Sequence, residues 1–232
     1  MSNHIRSIIF AAVLSIVCGS LLTFASTGLK EYHLKNIALD KQKNILKSVG
    51  LIQEDKELST NSIEELYTNS IRQMWVNFEG KIVPKQKKDT KDLPVYLHVK
   101  NGNIQSYIIP VDSRGLWGRI SGYLALKKDG VTVSGFTVYN HSETPGLGGE
   151  IEKRWFQKNF AGKKILDDQG NFVSVAIAKG RVADKIPESR QKNFVDGISG
   201  ASLTGKFLSE GLKQTLIEYE TLSERFRKKK RK

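Results

Sequence analysis

The residues from Ile8 to Leu29 carry no charge and are mostly apolar, whereas hydrophobic positions elsewhere come in short patterned groups. At about 1.5 Å per residue this stretch reaches roughly 33 Å, enough to cross a bilayer core about 30 Å thick. A cleavable signal peptide is the alternative, with Arg6 as its basic start and Ala25-Ser26-Thr27 as the cut. The apolar stretch is longer than the usual core of a signal peptide, which favours a retained transmembrane helix. Val17 is too large for the residue before a lipidated Cys18. From Glu31 to Val49, Leu34, Ile37, Ile45, Leu46 and Val49 predict an amphipathic helix running outward. Ser62 with Glu65 three residues on predicts a capping box opening a short helix through Ile71. Strand text follows at Met74–Phe78, Val95–Val99 and Ile104–Ile109, with a charged, solvated loop from Pro84 to Asp92. Arg119–Leu126 and Val131–Tyr139 flank Asp129-Gly130, a strong hairpin signal. Glu152–Phe160 predicts a short helix with Trp155, Phe156 and Phe160 inward, and Phe172–Ala178 a further strand. Leu203, Phe207, Leu208, Leu212, Leu216, Tyr219, Leu222 and Phe226 then recur at the period of a helix with one buried face. Helices mixed with hairpin-linked strands imply an α+β fold: an N-terminal transmembrane helix, then a mixed, largely antiparallel sheet with packed helices.

Composition narrows the chemistry. The 232 residues are long enough for one domain with a substantial core, plus an anchor. One cysteine, Cys18, excludes an internal disulfide and a cysteine-built metal or iron–sulfur site. The net charge is +13, but seven positive charges lie in the last eight residues, Arg225 to Lys232, leaving +6 on the remainder. Basicity is thus mainly a tail property, and the fold does not read as a nucleic-acid surface. The run Arg227–Lys232 reads as a frayed, solvated tail, or as a contact for anionic lipid headgroups.

The chemistry concentrates where the last helix begins. Asp196-Gly-Ile-Ser199-Gly200-Ala201-Ser202-Leu-Thr204-Gly-Lys206 places three hydroxyls among three glycines. Unpaired N–H groups and the positive end of the helix dipole make this a natural seat for a phosphate. A plain N-cap needs no ligand. A P-loop reading of Gly200 to Lys206 stumbles on Phe207, where a hydroxyl should hold Mg²⁺, and on the few residues that follow. A hydrolase elbow around Ser202 fails at Thr204, and His4, His33, His98 and His141 all lie upstream. The segment Asp196 to Ser202 instead resembles the D-x-x-S/T-G-A-T/S flavinylation motif of the FMN-binding domain family. That resemblance implies FMN joined through its phosphate to Ser202, with Asp196, Ser199, Gly200 and Ala201 completing the motif. The usual acceptor is Thr, so Thr204 two residues on is a rival.

A second match strengthens the first. Gly115-Leu116-Trp117-Gly118, Gly122-Tyr123 and His141-Ser-Glu143-Thr144-Pro145-Gly146-Leu147-Gly148-Gly149-Glu150 resemble one branch of that family, the C subunits of Na⁺-translocating NADH:quinone oxidoreductases. A related branch, the G subunit of Rnf-type electron transport complexes, is built on the same pattern and is the alternative. The resemblance implies an electron-carrier subunit without its own NADH or quinone site, working with the other subunits of the pump. It also implies maturation by a flavin transferase, the bacterial inner membrane, and a soluble domain on the periplasmic side. The expected organisation is a short segment at 1–7, a transmembrane helix at 8–29, a membrane-proximal helical region at 30–72, the FMN-binding domain at 73–226 and a basic tail at 227–232. A flavin site needs a phosphate anchor, flat apolar walls and a few polar groups. Trp117 and Leu147 are the expected walls. Glu143 and Thr144 are expected at the ring's polar edge or the ribityl hydroxyls. Gly146, Gly148 and Gly149 let backbone N–H groups come close. A core role for Trp117, a surface-lysine pair for Glu143 and an ordinary turn at Thr144–Gly146 are the competing structural roles. His141 is expected to be a hydrogen-bonded structural residue. A membrane-anchored assembly module without flavin is the competing function.

Overall fold

The computed structural model describes residues 3–52 and 58–230, the side chains of 229 and 230 excepted. Parts of the expected segments 1–7, 30–72 and 227–232 therefore lie outside the described residues. Two compact units divide between Asp40 and Lys41. The first is helical: α1 (Asn3–Ser48) contains a stretch long and apolar enough to cross a membrane, with Ile8, Phe10, Leu22 and Phe24 all exposed.

The second unit starts with the last turns of α1, where Ile45, Leu46 and Ser48 are buried. It continues through α2 (Thr60–Ser70), β1 (Ile71–Val76), β2 (Ile82–Val83), β3 (Leu93–Lys100), β4 (Asn103–Arg114), β5 (Arg119–Lys127) and β6 (Val133–Asn140). Short helical turns and α3 (Arg154–Gln157) follow, then β7 (Ala176–Ile177), α4 (Val182–Lys185), β8 (Phe194–Val195), α5 (Ser202–Glu218) and α6 (Glu220–Lys230). The main sheet is antiparallel throughout, in the order β2-β1-β3-β4-β5-β6, and β7 pairs with β8 in parallel. The α+β class expected from the pattern is the fold observed.

Alternation along the strands builds two layers on the sheet. Tyr107, Ile109 and Val111 on β4 and Leu124 and Leu126 on β5 face one side, where Leu208, Leu212 and Leu216 of α5 complete a core. Ser113 fixes that helix by donating to the Phe207 carbonyl at 2.8 Å. The other face is covered at β6 by the end of α1, since Thr137 donates to the Asn44 carbonyl.

Several expectations shift. The cap of α2 is Ser59, whose hydroxyl accepts from the Ser62 amide, so Ser62 occupies the third helical position and Glu65 is exposed. Ser59→Ala is expected to lower the stability of this unit by about 1 kcal/mol and Glu65→Ala by under about 0.5, read from denaturant midpoints. The helix expected over Glu152–Phe160 is broken into α3 flanked by 3₁₀ turns at Gly148–Glu152 and Lys158–Phe160. Phe156 and Phe160 are buried, but Trp155 turns out to the solvent and donates to Glu150 at 2.8 Å. Strand pairing over Phe172–Ala178 reduces to a bridge at Phe172 and β7. The last helix breaks at Tyr219, which is buried and donates to the Pro94 carbonyl of β3 at 2.5 Å. Past that break, Phe226 stacks on Tyr107 and Arg227 donates to the Gly130 carbonyl and to Glu220. The basic run thus begins inside a docked helix rather than in a frayed tail.

Candidate functional site

Three connections converge beside the start of α5. The first is the Gly115–Gly118 loop between β4 and β5, closed by a hydrogen bond from Gly115 N to Gly118 O at 2.6 Å. The second is the turn after β6, where Leu147 N and Gly149 N both donate to the Thr144 carbonyl. The third is the chain from β8 into α5. Its Gly200 has φ +74°, and a Cβ there would sit 2.8 Å from the Leu147 side chain. A residue with a side chain is disfavoured at Gly200 by its backbone angle.

Glu143 ties the three together. It is buried, and its Oε1 accepts from the amides of Leu116 at 2.8 Å and Trp117 at 3.1 Å. Its Oε2 accepts from the hydroxyl of Thr204 at 2.5 Å. Gly148 packs on that junction, since a Cβ there would lie 2.5 Å from Thr204 Oγ1 and 2.7 Å from Glu143 Oε2. Glu143 therefore pairs with backbone amides and a hydroxyl, not with a surface lysine. The backbone N–H of Glu143 in turn donates to His141 Nδ1 at 3.1 Å, while His141 Nε2 lies 3.2 Å from Glu152 Oε2. The Glu152 carboxyl is held below the usual carboxylate range, chiefly by its hydrogen bond from Lys153.

The junction floors a cleft of about 220 Å³ lined by Leu116, Trp117, Glu143, Thr144, Leu147, Gly148 and the stretch Gly200–Thr204. Of the residues singled out in the sequence, Trp117, Glu143, Thr144, Leu147, Gly148, Gly200, Ala201, Ser202 and Thr204 meet here. Asp196 does not line it; its carboxylate accepts from Val182 N at 2.6 Å, at the start of α4. Ser199 is exposed and outside the lining, and Gly146 serves the turn with φ +74°. Trp117 is 69% exposed, so the core reading of this aromatic fails. Two lining residues had no role in the sequence reading of the cleft. Leu116 stood within the Leu-Trp-Gly segment, and Leu203 was assigned to the buried helix face but is half exposed. Its five-residue distance from Leu208, the first fully buried leucine of α5, is the signal that separates it from the core row.

The cleft suits a phosphorylated planar ligand. Ser202 is exposed at the first position of α5, and the N-cap is Ala201, which has no side-chain oxygen to satisfy the first-turn amides. Amides at a helix start favour an anion. Around them, Leu116, Trp117, Leu147 and Leu203 all expose apolar surface on one small concavity. Large side chains grouped in this way mark a covered or ligand-bearing surface. FMN, with a phosphate at one end and a flat ring at the other, fits these residues.

Comparison with known proteins agrees with the geometry. The FMN-binding domain model matches residues 115–217, which include every residue of the cleft. The C subunit of the Na(+)-translocating NADH-quinone reductase of Neisseria meningitidis serogroup A is 32% identical, over 86% of this chain and 84% of its own length. That of Vibrio campbellii is 35% identical, over 83% of this chain and 82% of its own. The crystal structure of the same reductase component from Parabacteroides distasonis superposes with a TM-score of 0.70 at 31% identity, covering 84% of this chain and 96% of that one. The NqrC of Shewanella oneidensis, at 24% identity and a TM-score of 0.62, shows the same fold. On this identity and coverage, the chain belongs to the C-subunit family of Na(+)-translocating NADH-quinone reductases and carries its FMN-binding domain.

Proposed function

We propose that this chain is an electron-carrier subunit of a redox-driven Na⁺ pump, holding FMN in the cleft by a phosphoester to Ser202. The observation that carries the proposal is the meeting, in one cleft, of an exposed serine on an uncapped helix start with four exposed apolar side chains. Bound FMN supplies one-electron redox chemistry at its ring. Ser202 anchors the phosphate, and the amides that Ala201 leaves uncapped offset the charge of the ester. Leu116, Trp117, Leu147 and Leu203 give the ring apolar cover and displace water from it. Glu143 keeps the walls in place by joining the Trp117 loop to α5. A covalent anchor replaces equilibrium binding with a high effective concentration, so the carrier keeps its cofactor.

The apolar part of α1 anchors the chain in the bacterial inner membrane, with the globular unit on the periplasmic side and the other subunits of the reductase as electron partners. A separate flavin transferase makes the ester. In that step Ser202 would supply the hydroxyl oxygen that takes the FMN phosphoryl group from FAD, with AMP as the leaving group and the hydroxyl proton passing to solvent. Mass spectrometry tests the reading directly. A peptide spanning Ser199–Lys206 from native membranes is expected to carry the mass of FMN less one water, with fragments placing it on Ser202. Unmodified peptide throughout refutes the proposal.

A further inference from the structure

We propose that His141 is a positioning residue for the cleft, serving as a hydrogen-bond acceptor that only its neutral ring with the proton on Nε2 can supply. A backbone N–H only donates, so the contact from Glu143 N to Nδ1 at 3.1 Å requires a lone pair on Nδ1. The remaining ring proton then sits on Nε2 and donates to Glu152 Oε2 at 3.2 Å. The other oxygen of Glu152 is engaged by Lys153 at 2.8 Å. Only 13% of the His141 side chain is exposed.

What His141 holds is the backbone of the residue that closes the site. Glu143 reaches Leu116, Trp117 and Thr204 with its carboxylate, while its own N–H rests on the imidazole. A second proton on the ring would fall on Nδ1 and meet the Glu143 N–H donor to donor. The Glu152 carboxylate faces Nε2, and Lys153 lies beyond it on the same carboxylate. The Glu143 carboxylate, two residues on, is a third charged group nearby and is bonded to Leu116, Trp117 and Thr204. Proton uptake at Nδ1 would thus release the Glu143 backbone. The functional meaning rests on the cleft being the FMN site; the hydrogen-bond assignment does not.

The test uses the full chain in detergent micelles, made without the transferase so that no flavin is present. Long-range proton–nitrogen NMR on histidine-labelled protein, with His141→Asn to assign the signal, is expected to show hydrogen on Nε2 and none on Nδ1 at pH 8. The protection of the Glu143 amide, exchange being scaled to its intrinsic rate at each pH, is expected to fall about fivefold to tenfold at the acid pH where the ring signal shows hydrogen on both nitrogens, the size of one lost hydrogen bond. His141→Asn offers an oxygen near the Nδ1 position that does not titrate, so it should keep the protection at both pH values. His141→Ala should lack it at both. Hydrogen on Nδ1 at pH 8, pH-independent protection in the wild type, or an Asn variant as unprotected as the Ala variant overturns the proposal. If either variant misfolds by circular dichroism, the wild-type tautomer and pH profile still decide. Peptide mapping that finds no flavin would overturn the FMN reading and leave these measurements standing, so the two failures are separable.

Discussion

A chain carrying Ser202→Ala, coexpressed with an active flavin transferase, runs as a dark band on a denaturing gel under ultraviolet light, while the wild-type band fluoresces and the Thr204→Ala band, its tie to Glu143 lost, fluoresces more weakly. The difference follows from where the two hydroxyls lie. Ser202 is exposed at the first position of α5 and faces the cleft. Thr204 is buried, and its hydroxyl is spent on Glu143. Esterifying Thr204 would break that bond and press a phosphate against a carboxylate. At about 4 Å and an effective dielectric near 20, two such charges repel by about 4 kcal/mol. Ser199 is exposed but lies outside the lining, on the far side of Gly200. Ser202→Thr should fluoresce as the wild type does, because the reacting group is unchanged. Fluorescence that survives Ser202→Ala would remove the serine from the linkage and with it the anchor of the proposed cofactor.

The parts of the fold legible in the sequence are those encoded over a few consecutive residues. Asp129-Gly130 announces its turn because the aspartate carboxylate accepts from the Val131 and Thr132 amides and the glycine takes φ +66°. The apolar stretch in α1 and the leucine row of α5 announce themselves by length and period. Segments decided by distant partners were not legible. The helix text at Glu152–Phe160 breaks into separate turns around Phe156 and Phe160, whose burial depends on β6 (Phe136 lies 4.5 Å from Phe160, ring to ring). The break at Tyr219 answers to a carbonyl on β3, at Pro94. The same divide runs through the site. Both glycine-rich segments could be picked out by composition, and both line the cleft. That Glu143 would face Thr204, 61 residues on, could not, because no local pattern records which loops meet. The role first expected for Glu143, contact with the ligand's polar groups, is thereby joined by an architectural one.

That architectural role makes Glu143 the residue whose truncation should cost most after Ser202. Glu143→Ala removes the acceptor for two amides and one hydroxyl at a buried junction. Each donor left without a partner costs on the order of 1–3 kcal/mol, reduced wherever water enters. A loss of about 3 kcal/mol or more in the stability of the globular unit is therefore expected, read as a lower denaturant midpoint at unchanged slope. Glu143→Gln should be far milder, about 1 kcal/mol. Its carbonyl oxygen can still accept from Leu116 and Trp117, and its amide group can donate to a Thr204 hydroxyl that has rotated to accept. The ordering also predicts flavin content, because the Trp117 wall and the anchoring helix are registered through this one side chain. The Ala variant should incorporate flavin poorly even when it folds, and the Gln variant nearly as well as the wild type. A Glu143→Ala chain with the wild-type midpoint and full flavin would show that the loops hold their places without it, and that the close packing of Gly148 on Glu143 and Thr204 is enough to shape the cleft.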